Sequence, residues 1–384
     1  MRNLDPRQLD VPATLDVQAV ERELSQLWKQ NASAEEAGEE GAMMRARVLN
    51  LMVYVSTEEA QRETTEMLME VAASHPCRAL VMVALREAAD RDIEIFVSAY
   101  CQSPAGTRAS HLCCEQVTLI ARGRFAVELP SATTPLLVPD LPVFLHWRDS
   151  LPAGDAVFTS LVRASDRVVI DSADFRSPHD DLIALAALLQ RVRAAHAALS
   201  DLNWTRLTSW RSLLAGFYDV QEYRAALDRL NGVYIEYVAA EGAPEAIAPQ
   251  ALILAGWLAS RLDWRVSSKL ATQADKEARV ALFDKQGRRL AVEFRQVERP
   301  EMRPGRLARI ELRAEGEPAT NFVVSRSEDG RRLETHVSSG TGVRAARVIV
   351  CRNRSIATLL SRELAILSPD RIYEQAIALA AQMI

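Results

Sequence analysis

The order of apolar and polar residues divides the chain into three parts, the first of which is short. Over residues 16–30 the apolar side chains recur at three- and four-residue spacing, which predicts an amphipathic helix with Asp16 as its N-cap. The acidic stretch at 34–41 repels itself and brings little apolar surface to bury, so we expect a mobile linker there. We therefore predict that residues 1–44 form an N-terminal helix and linker.

From residue 45 to residue 222, nearly continuous apolar runs alternate with helical periodicity. The predicted strands lie at residues 48–55, 79–85, 93–100, 112–121, 143–147 and 167–171. The predicted helices lie at residues 57–73, 124–134, 155–163, 179–199 and 203–217. Apolar strands of this kind indicate a sheet covered on both faces, while the short link between the third and fourth strands favours antiparallel pairing there. We predict an α/β domain with a mixed, mostly parallel sheet.

The remaining residues, 223–384, have the pattern of an antiparallel meander. Short strands with alternating polarity are separated by turns, and we place them at residues 233–239, 265–268, 278–283, 290–296, 307–314, 321–327 and 333–338. Helices are predicted at 249–261, 355–367 and 371–383, and we expect the last two to cover the apolar face of the sheet. This part is predicted to be an α+β domain.

Composition and charge exclude several functions. Only 15 of the 384 residues are glycine, below the usual share of about 7%, and loops that cradle phosphates are built from glycine. The cluster at 340–345 fits G-x-G-x-x-A, but a strand-like run follows it, which favours a hairpin turn over a nucleotide site. The net charge of −5 disfavours nucleic acid as a partner. Without a long apolar run or a leader pattern, we expect a soluble, cytoplasmic protein that is not membrane-bound.

No catalytic or metal-binding pattern emerges from the cysteines and histidines. The run at 111–115 contains His111, Cys113 and Cys114, but no second pair lies at zinc-ligand spacing, so we interpret the cysteines as small apolar residues of a buried strand. A redox sensor at Cys113 and Cys114 is a weaker alternative. His196 falls on the apolar stripe of the helix predicted at 179–199, which favours a core histidine. We predict no catalytic residue, no metal and no cofactor.

Two stretches combine aromatic and charged residues in the way that interface hot spots do, at 139–148 and at 201–211. In a purely structural interpretation, the tryptophans are buried in the core and the arginines extend to water. We take their polar and aromatic residues as the candidate partner-contact surface: His146, Trp147, Arg148, Asp201, Asn203, Trp204, Arg206, Trp210 and Arg211.

Several longer motifs resemble one known family. In order along the chain they are Arg47-Val-Leu-Asn-Leu51, His75-Pro-Cys-Arg78, Cys113-Cys-Glu-Gln-Val-Thr-Leu119, Pro135 to Phe144, Arg167 to Ala173 and Asp201 to Arg211. Together they are similar to the OpcA family, the glucose-6-phosphate dehydrogenase assembly proteins. The resemblance covers about residues 45–220, and several motifs in one order are more specific than a single short pattern.

The resemblance implies a non-catalytic partner of glucose-6-phosphate dehydrogenase, the NADP-dependent enzyme that opens the oxidative pentose phosphate pathway. Such a protein helps to assemble the enzyme or activates it allosterically. The chain departs from the family pattern at His146, where tryptophan is more frequent, and at Ser209, where proline is usual. Its last part also holds only Cys351, so an intramolecular thiol switch there is not expected.

A second function stays open at this point. Arg148, Arg206 and Arg211 could clamp a phosphate group, which would make the chain a sugar-phosphate-binding protein.

Overall fold

The computed structural model describes most of the chain as two units. It describes residues 2–3, 7–9, 16–35, 44–45, 47–102, 112–151, 154–272, 276–340, 342–351 and 354–384. Unit 1 consists of Met1–Ile170, Arg191–Ser200 and Ser355–Pro369, and unit 2 of Asp171–Gln190, Asp201–Arg354 and Asp370–Ile384. The predicted linker falls mainly at 36–43, outside the described residues, and the domain boundaries at 44 and 222 stay a prediction.

A ten-stranded sheet forms the first layer of the fold, counted over the described residues. Its strands are β1 (Arg2–Asn3), β2 (Arg7–Leu9), β3 (Met44–Arg45), β4 (Leu49–Val55), β5 (Cys77–Leu85), β6 (Arg91–Gln102), β7 (Leu112–Arg122), β8 (Val143–Trp147), β9 (Arg167–Ile170) and β10 (Ala198–Asp201). The main order is β1-β6-β7-β5-β4-β8-β9-β10. As predicted, the sheet is mixed and mostly parallel, with β6 antiparallel to β7.

The central strands have the order of a doubly wound fold. Strands β7, β5, β4, β8 and β9 pair in parallel, and β4 comes first along the chain among them. Numbered in chain order, the five lie as 3-2-1-4-5, so the direction of winding reverses between β4 and β8. We call this place, at the carboxyl ends of β4 and β8, the switch point. Doubly wound proteins bind their ligands at such a position.

The helices of the described chain follow most of the predicted periodicity. They are α1 (Val17–Glu35), α2 (Glu58–Ala72), α3 (Leu129–Thr133), α4 (Ala156–Arg163), α5 (Pro178–Ala194), α6 (Leu202–Arg206), α7 (Thr208–Phe217), α8 (Gln221–Arg224), α9 (Pro249–Arg261), α10 (Ile356–Leu364) and α11 (Arg371–Met383). Short 3-10 helices lie at Gly123–Glu128, Thr134–Leu136, Ser172–Asp174 and Leu227–Arg229.

Helix α1 confirms the first predicted helix and packs in unit 1. Asp16 caps it by accepting the N–H of Ala19 at 3.1 Å. Its apolar stripe, consisting of Val20, Leu24 and Leu27, is buried. Glu21 pairs with the buried Arg78 of β5, which also donates from Nη2 to Glu115 of β7 at 2.7 Å. Paired, hydrogen-bonded charges are the form in which ionised groups are tolerated in a core.

The second sheet is antiparallel-rich, as predicted, with one parallel pair. Its nine described strands are β11 (Leu230–Tyr237), β12 (Arg265–Val266), β13 (Ala271–Thr272), β14 (Glu277–Phe283), β15 (Arg289–Gln296), β16 (Leu307–Ala314), β17 (Thr320–Arg326), β18 (Arg332–Ser339) and β19 (Gly342–Val350). The main order is β12-β14-β15-β11-β16-β17-β18-β19. Strand β11 is inserted into the meander, parallel to β15 and antiparallel to β16. Strands β18 and β19 form a hairpin, which confirms that interpretation of the glycine cluster at 340–345.

Two predicted helices are wrong in extent. The helix predicted at 179–199 ends at Ala194, because His196 adopts a left-handed φ of 63° and starts the turn into β10. His196 is exposed in that turn and does not belong to a core stripe. The helix predicted at 203–217 is two helices, α6 and α7, that meet at Leu207.

The two C-terminal helices lie in different units, which corrects the expectation that both cover the second sheet. Helix α10 packs against α2 in unit 1, where Ser355 donates its hydroxyl to Glu70 at 2.5 Å. Helix α11 packs against α9 in unit 2. The two backbones approach so closely that a Cβ at Gly256 would lie 2.1 Å from the carbonyl oxygen of Ala376. Among the described helices, none has the length and apolar character of a membrane span.

Candidate functional site

The switch point of unit 1 is filled by aromatic side chains. Tyr54, the residue before the last of β4, and Trp147, the last residue of β8, face each other in register. Their rings stack with centroids 3.9 Å apart and an interplanar angle of 3°. Phe158 of α4 packs edge-on against Trp147 at 4.9 Å. The carboxyl ends of β4 and β8, beside which a doubly wound protein holds a ligand, are therefore packed with buried aromatic side chains of unit 1.

The turn that follows β4 lacks the features of a phosphate site. Thr57 caps α2 by accepting the N–H of Ala60 at 3.1 Å, and Glu58 and Glu59 stand in the first turn. These acids stabilise the positive end of the helix dipole. The same charges would repel a pyrophosphate, which in nucleotide-binding folds occupies this position.

Arginines close the switch point on two sides. Arg86 donates to Asp155 at 2.6 Å and to the Tyr54 hydroxyl at 3.3 Å. Arg148 donates to Glu63 at 2.8 Å and to the buried Thr64 hydroxyl at 2.7 Å. Both guanidinium groups are thus paired with carboxylates of unit 1.

The first predicted contact stretch therefore lies at the switch point. His146 and Trp147 are buried, at 1% and 3% exposure, and Arg148 is half-buried. Of the three, Arg148 is the most exposed, with 13% of its side chain accessible, and its partner Glu63 is 58% exposed.

The second predicted stretch begins at a buried carboxylate in unit 2. Asp201 ends β10 and caps α6, and its side chain is completely buried. Ser172 donates its N–H at 3.0 Å and its hydroxyl at 2.6 Å to this carboxylate. Asn203 donates its N–H at 2.8 Å and Tyr373 its hydroxyl at 3.3 Å. A buried acceptor with this many donors holds three segments of the chain in one arrangement.

Burial controls the protonation of Asp201. Removal from water and the nearby Asp171 carboxylate raise the pKa of Asp201 to about 7, against the hydrogen bonds from Ser172 and Asn203, which lower it. This carboxyl group consequently titrates near neutral pH.

The network continues through two amides to the second sheet. Asn203 donates to the Ser172 hydroxyl oxygen at 3.1 Å and accepts from Gln250 at 2.8 Å. Gln250, the second residue of α9, accepts the N–H of Leu307 at 3.2 Å. The start of α6, the start of α9 and the start of β16 are therefore joined by side-chain hydrogen bonds.

The remaining residues of the second stretch have partners within unit 2. Arg206 binds Asp171 through two parallel hydrogen bonds of 2.5 and 2.7 Å. Trp204 donates its indole N–H to Asp370 at 2.8 Å, and the guanidinium of Arg211 lies 3.4 Å above the Trp204 ring. Trp210 is 1% exposed.

Six of the nine predicted contact residues are thus buried, while Arg148, Arg206 and Arg211 are half-buried. Partner contact through these nine stays a prediction, and the three arginines are the members with accessible side-chain atoms.

Three members of the network were not predicted from the sequence. Gln250 and Tyr373 lie far from Asp201 along the chain and have no motif of their own, while Ser172 lies in the motif Arg167 to Ala173 without being singled out there. The signal that could have pointed to Ser172 is the Asp171-Ser172 pair that directly follows the apolar strand β9.

Cys114 contacts Cys77 of the adjacent strand, whereas the redox alternative from the sequence paired Cys114 with Cys113. Cys114 accepts the backbone N–H of Cys77 from the adjacent strand at 3.1 Å, and both thiols are buried. A side-chain hydrogen bond with Cys114 and burial raise the pKa of Cys77. The side-chain hydrogen bond with Cys77 lowers the pKa of Cys114, and the bond from the Cys77 backbone N–H lowers it further. His111 and the side chain of Cys113 lie outside the described residues. Within the described part of the chain, no three metal-ligating side chains come together.

Family models match most of the chain in two consecutive segments. The model described as Glucose-6-phosphate dehydrogenase subunit N-terminal domain matches residues 69–187, and the corresponding C-terminal domain matches residues 197–377. The chain belongs to the OpcA family.

Curated relatives with the OpcA name come from cyanobacteria. An OxPP cycle protein OpcA of Nostoc punctiforme is 29% identical over 82% of this chain and 66% of its own length. The OpcA proteins of Synechocystis and Synechococcus elongatus are 33% and 28% identical, over 50% and 81% of this chain and 38% and 68% of their own lengths. The chain thus spans at most about two thirds of the OpcA relatives it matches.

Similar solved structures are oxidoreductases with little sequence identity. A levoglucosan dehydrogenase complex with NADH is 12% identical with a TM-score of 0.49, covering 88% of this chain and 95% of that chain. An NAD binding oxidoreductase from Klebsiella pneumoniae is 11% identical with a TM-score of 0.48, covering 88% and 96%. Likeness at this level has no bearing on the function of an OpcA protein.

Proposed function

We propose that this protein is a non-catalytic assembly factor and allosteric activator of glucose-6-phosphate dehydrogenase in the oxidative pentose phosphate pathway. The observation that carries the proposal is the pair of family-model matches, both described as domains of a glucose-6-phosphate dehydrogenase subunit, in order along the chain. The OpcA relatives add the pathway, since their name places them in the OxPP cycle.

The filled switch point supports a role without catalysis. Tyr54 and Trp147 occupy the position where a doubly wound enzyme holds its cofactor, and acids stand where a pyrophosphate would lie. Opening this crevice would mean separating a stacked, buried ring pair. In this proposal the nicotinamide cofactor of the pathway belongs to the dehydrogenase.

Activation requires a difference in binding between two states of the enzyme. A protein that binds the active and inactive forms equally does not change the equilibrium between them. A preference for the active form by about 1.4 kcal/mol changes the ratio of the two forms tenfold. A few buried contacts supply this amount of energy.

The test measures the purified dehydrogenase of the same organism with and without an equimolar amount of this protein. We expect a higher kcat, a lower KM or a larger enzyme oligomer when the protein is present. Unchanged values of all three quantities would refute the proposal.

A matched pair of variants locates the contact. Arg148→Gln removes the accessible cation at the switch point, and Arg163→Gln removes an exposed cation of α4 that pairs with nothing in the described chain. We expect Arg148→Gln alone to weaken activation. Equal effects of the two variants would assign the contact to another surface.

The sugar-phosphate-binding alternative is disfavoured for the three arginines first considered. Arg148 is paired with Glu63, Arg206 is held by both oxygens of Asp171, and Arg211 lies on the Trp204 ring. A phosphate would have to displace two carboxylates that already neutralise their arginines.

A further inference from the structure

Four arginines of unit 2 lie in segments near the hydrogen bonds that Gln250 makes to Asn203 and Leu307. Arg206 lies in the last turn of α6, Arg303 and Arg306 precede β16, and Arg326 ends β17. Gln250 connects the start of α6 to Leu307, the residue after Arg306. Arg326 in turn donates to the carbonyl oxygen of Leu307 at 3.4 Å, so Arg306 and Arg326 lie at the same end of the paired strands β16 and β17.

Three acidic side chains act on this cluster, Asp171, Asp174 and Asp201, and they do not balance its four arginines. Asp171 is already bound by Arg206 through both of its oxygens. Arg326 donates to neutral groups, the carbonyl oxygen of Gly330 at 3.0 Å and the Cys351 sulfur at 3.2 Å. These contacts fix the arginines without neutralising Arg326.

Arg306, unlike Arg206 and Arg326, has no such contact among the residues that the structure describes. Its guanidinium has no hydrogen-bond or ion-pair partner in the described part of the chain, although the residue is half-buried. Within the same cluster, Nε of Arg206 is buried and lacks an acceptor. Buried polar groups of native proteins normally have partners, so an unpartnered one points to a ligand.

Electrostatics agrees with this geometry. Burial and repulsion from Arg206 lower the pKa of Arg306 to about 10, Asp171 offsets part of the effect, and Arg326 and Arg303 add to the repulsion. The cluster therefore has an excess of positive charge that an anion would neutralise.

We propose that Arg306 and Arg326 form a binding site for a phosphate group, with the exposed Arg303 at its entrance and Arg206, which Asp171 already holds, beside it. The planar fork of a guanidinium matches the oxygens of phosphate, and several convergent forks favour a dianion over a single carboxylate. This inference stands apart from the proposed association with the dehydrogenase, because it concerns a small ligand of the isolated chain.

Calorimetric titration of the full chain with inorganic phosphate, at constant ionic strength and pH 7.5, tests the site. We expect saturable binding to the unsubstituted protein and binding weakened by about tenfold or more in Arg306→Gln, a loss of about 1.4 kcal/mol. Arg306→Lys keeps the charge without the fork and is expected to bind with intermediate affinity. The control Arg289→Gln, which removes an exposed arginine of β15, is expected to bind as the unsubstituted protein does.

A parallel titration with glycerol 3-phosphate distinguishes the source of the phosphate group. Tighter binding than that of inorganic phosphate supports a phosphorylated metabolite as ligand, and equal binding supports free phosphate.

Thermal melting separates a ligand site from a structural arginine. Without phosphate, Arg306→Gln is expected to melt at or above the temperature of the unsubstituted protein, since it removes a repelled charge. The proposal is overturned if the unsubstituted protein shows no saturable binding, if Arg306→Gln binds phosphate equally well, or if that variant alone lowers the melting temperature by several degrees.

Discussion

The switch point of unit 1 and the polar network of unit 2 contain similar types of residue, but the residues play different roles in the two regions. At the switch point a stacked tyrosine and tryptophan fill the space, and Arg86 and Arg148 are each paired with a carboxylate near the surface. In unit 2 the carboxylate of Asp201 is completely buried, and Arg306 lacks a partner in the described chain. The first region is closed by packing, whereas the second retains charge that is not balanced locally.

This difference shows that tryptophan and arginine together do not define a contact surface. Trp147 and Trp204 both lie in motifs that resemble interface hot spots, yet both are buried and hold their own unit together. What distinguishes the two regions is the balance of charges around the arginines, which depends on residues far away in the sequence.

The largest effect is expected from breaking the packing at the switch point. Trp147→Ala removes a ring that stacks on Tyr54 and contacts Phe158, and we expect a loss of about 3–5 kcal/mol in the free energy of unfolding. Chemical denaturation measures this loss. Trp147→Phe keeps an aromatic ring in place and should lose clearly less; equal losses would mean that the stack is not what fills the site.

The next effect concerns the buried ion pair of unit 2. Arg206→Gln leaves Asp171, whose side chain is 7% exposed, without its two strongest hydrogen bonds, and we expect a loss of about 3 kcal/mol. Urea unfolding compares this variant with Asp171→Asn/Arg206→Gln, in which neither charge remains. The double variant should be the more stable of the two, and a double variant that is less stable would contradict the ion-pair account.

A smaller, pH-dependent effect is expected from Asp201. Its pKa of about 7 in the folded state lies above the ordinary value of 3.8, so the folded protein holds this proton more tightly than the unfolded chain does. The resulting stabilisation is complete below pH 3.8 and is lost as the pH rises to about 7.

Unfolding of the protein and of Asp201→Asn at several pH values isolates this contribution. Relative to the variant, the protein should lose about 1–2 kcal/mol between pH 5 and pH 7. A stability difference that stays constant over this range would mean that Asp201 is ionised throughout.

The smallest effect is expected at the rim of the switch point. Arg148→Gln removes an ion pair whose acid, Glu63, is 58% exposed, and one hydrogen bond to the Thr64 hydroxyl, so the free energy of unfolding should fall by about 1 kcal/mol. Thermal melting at low and high salt measures it. A loss as large as that of Arg206→Gln would remove the contrast between the two regions.

The elements that the sequence predicted best are those with local start and stop signals. Helix α9 begins at Pro249, helix α11 is capped by Asp370, and both have the predicted bounds. The end of α5 was missed, because the left-handed turn at His196 uses no glycine and the short strand β10 continues the apolar pattern.

The candidate site was predicted only in part, for a related reason. Asp201 and Arg206 stand in one recognisable motif, but their partners Ser172, Tyr373 and Asp171 come from other segments. Local patterns indicate which residues are unusual, and only the tertiary structure shows which charges remain unbalanced.

Direct complex formation tests the central claim, that this chain is a partner of glucose-6-phosphate dehydrogenase. Sedimentation velocity of an equimolar mixture of the two purified proteins is the measurement. We predict a species heavier than either protein alone, formed with the unsubstituted chain and weakened in Arg148→Gln but not in Arg163→Gln. Two boundaries that sediment independently at all concentrations tested would contradict the account.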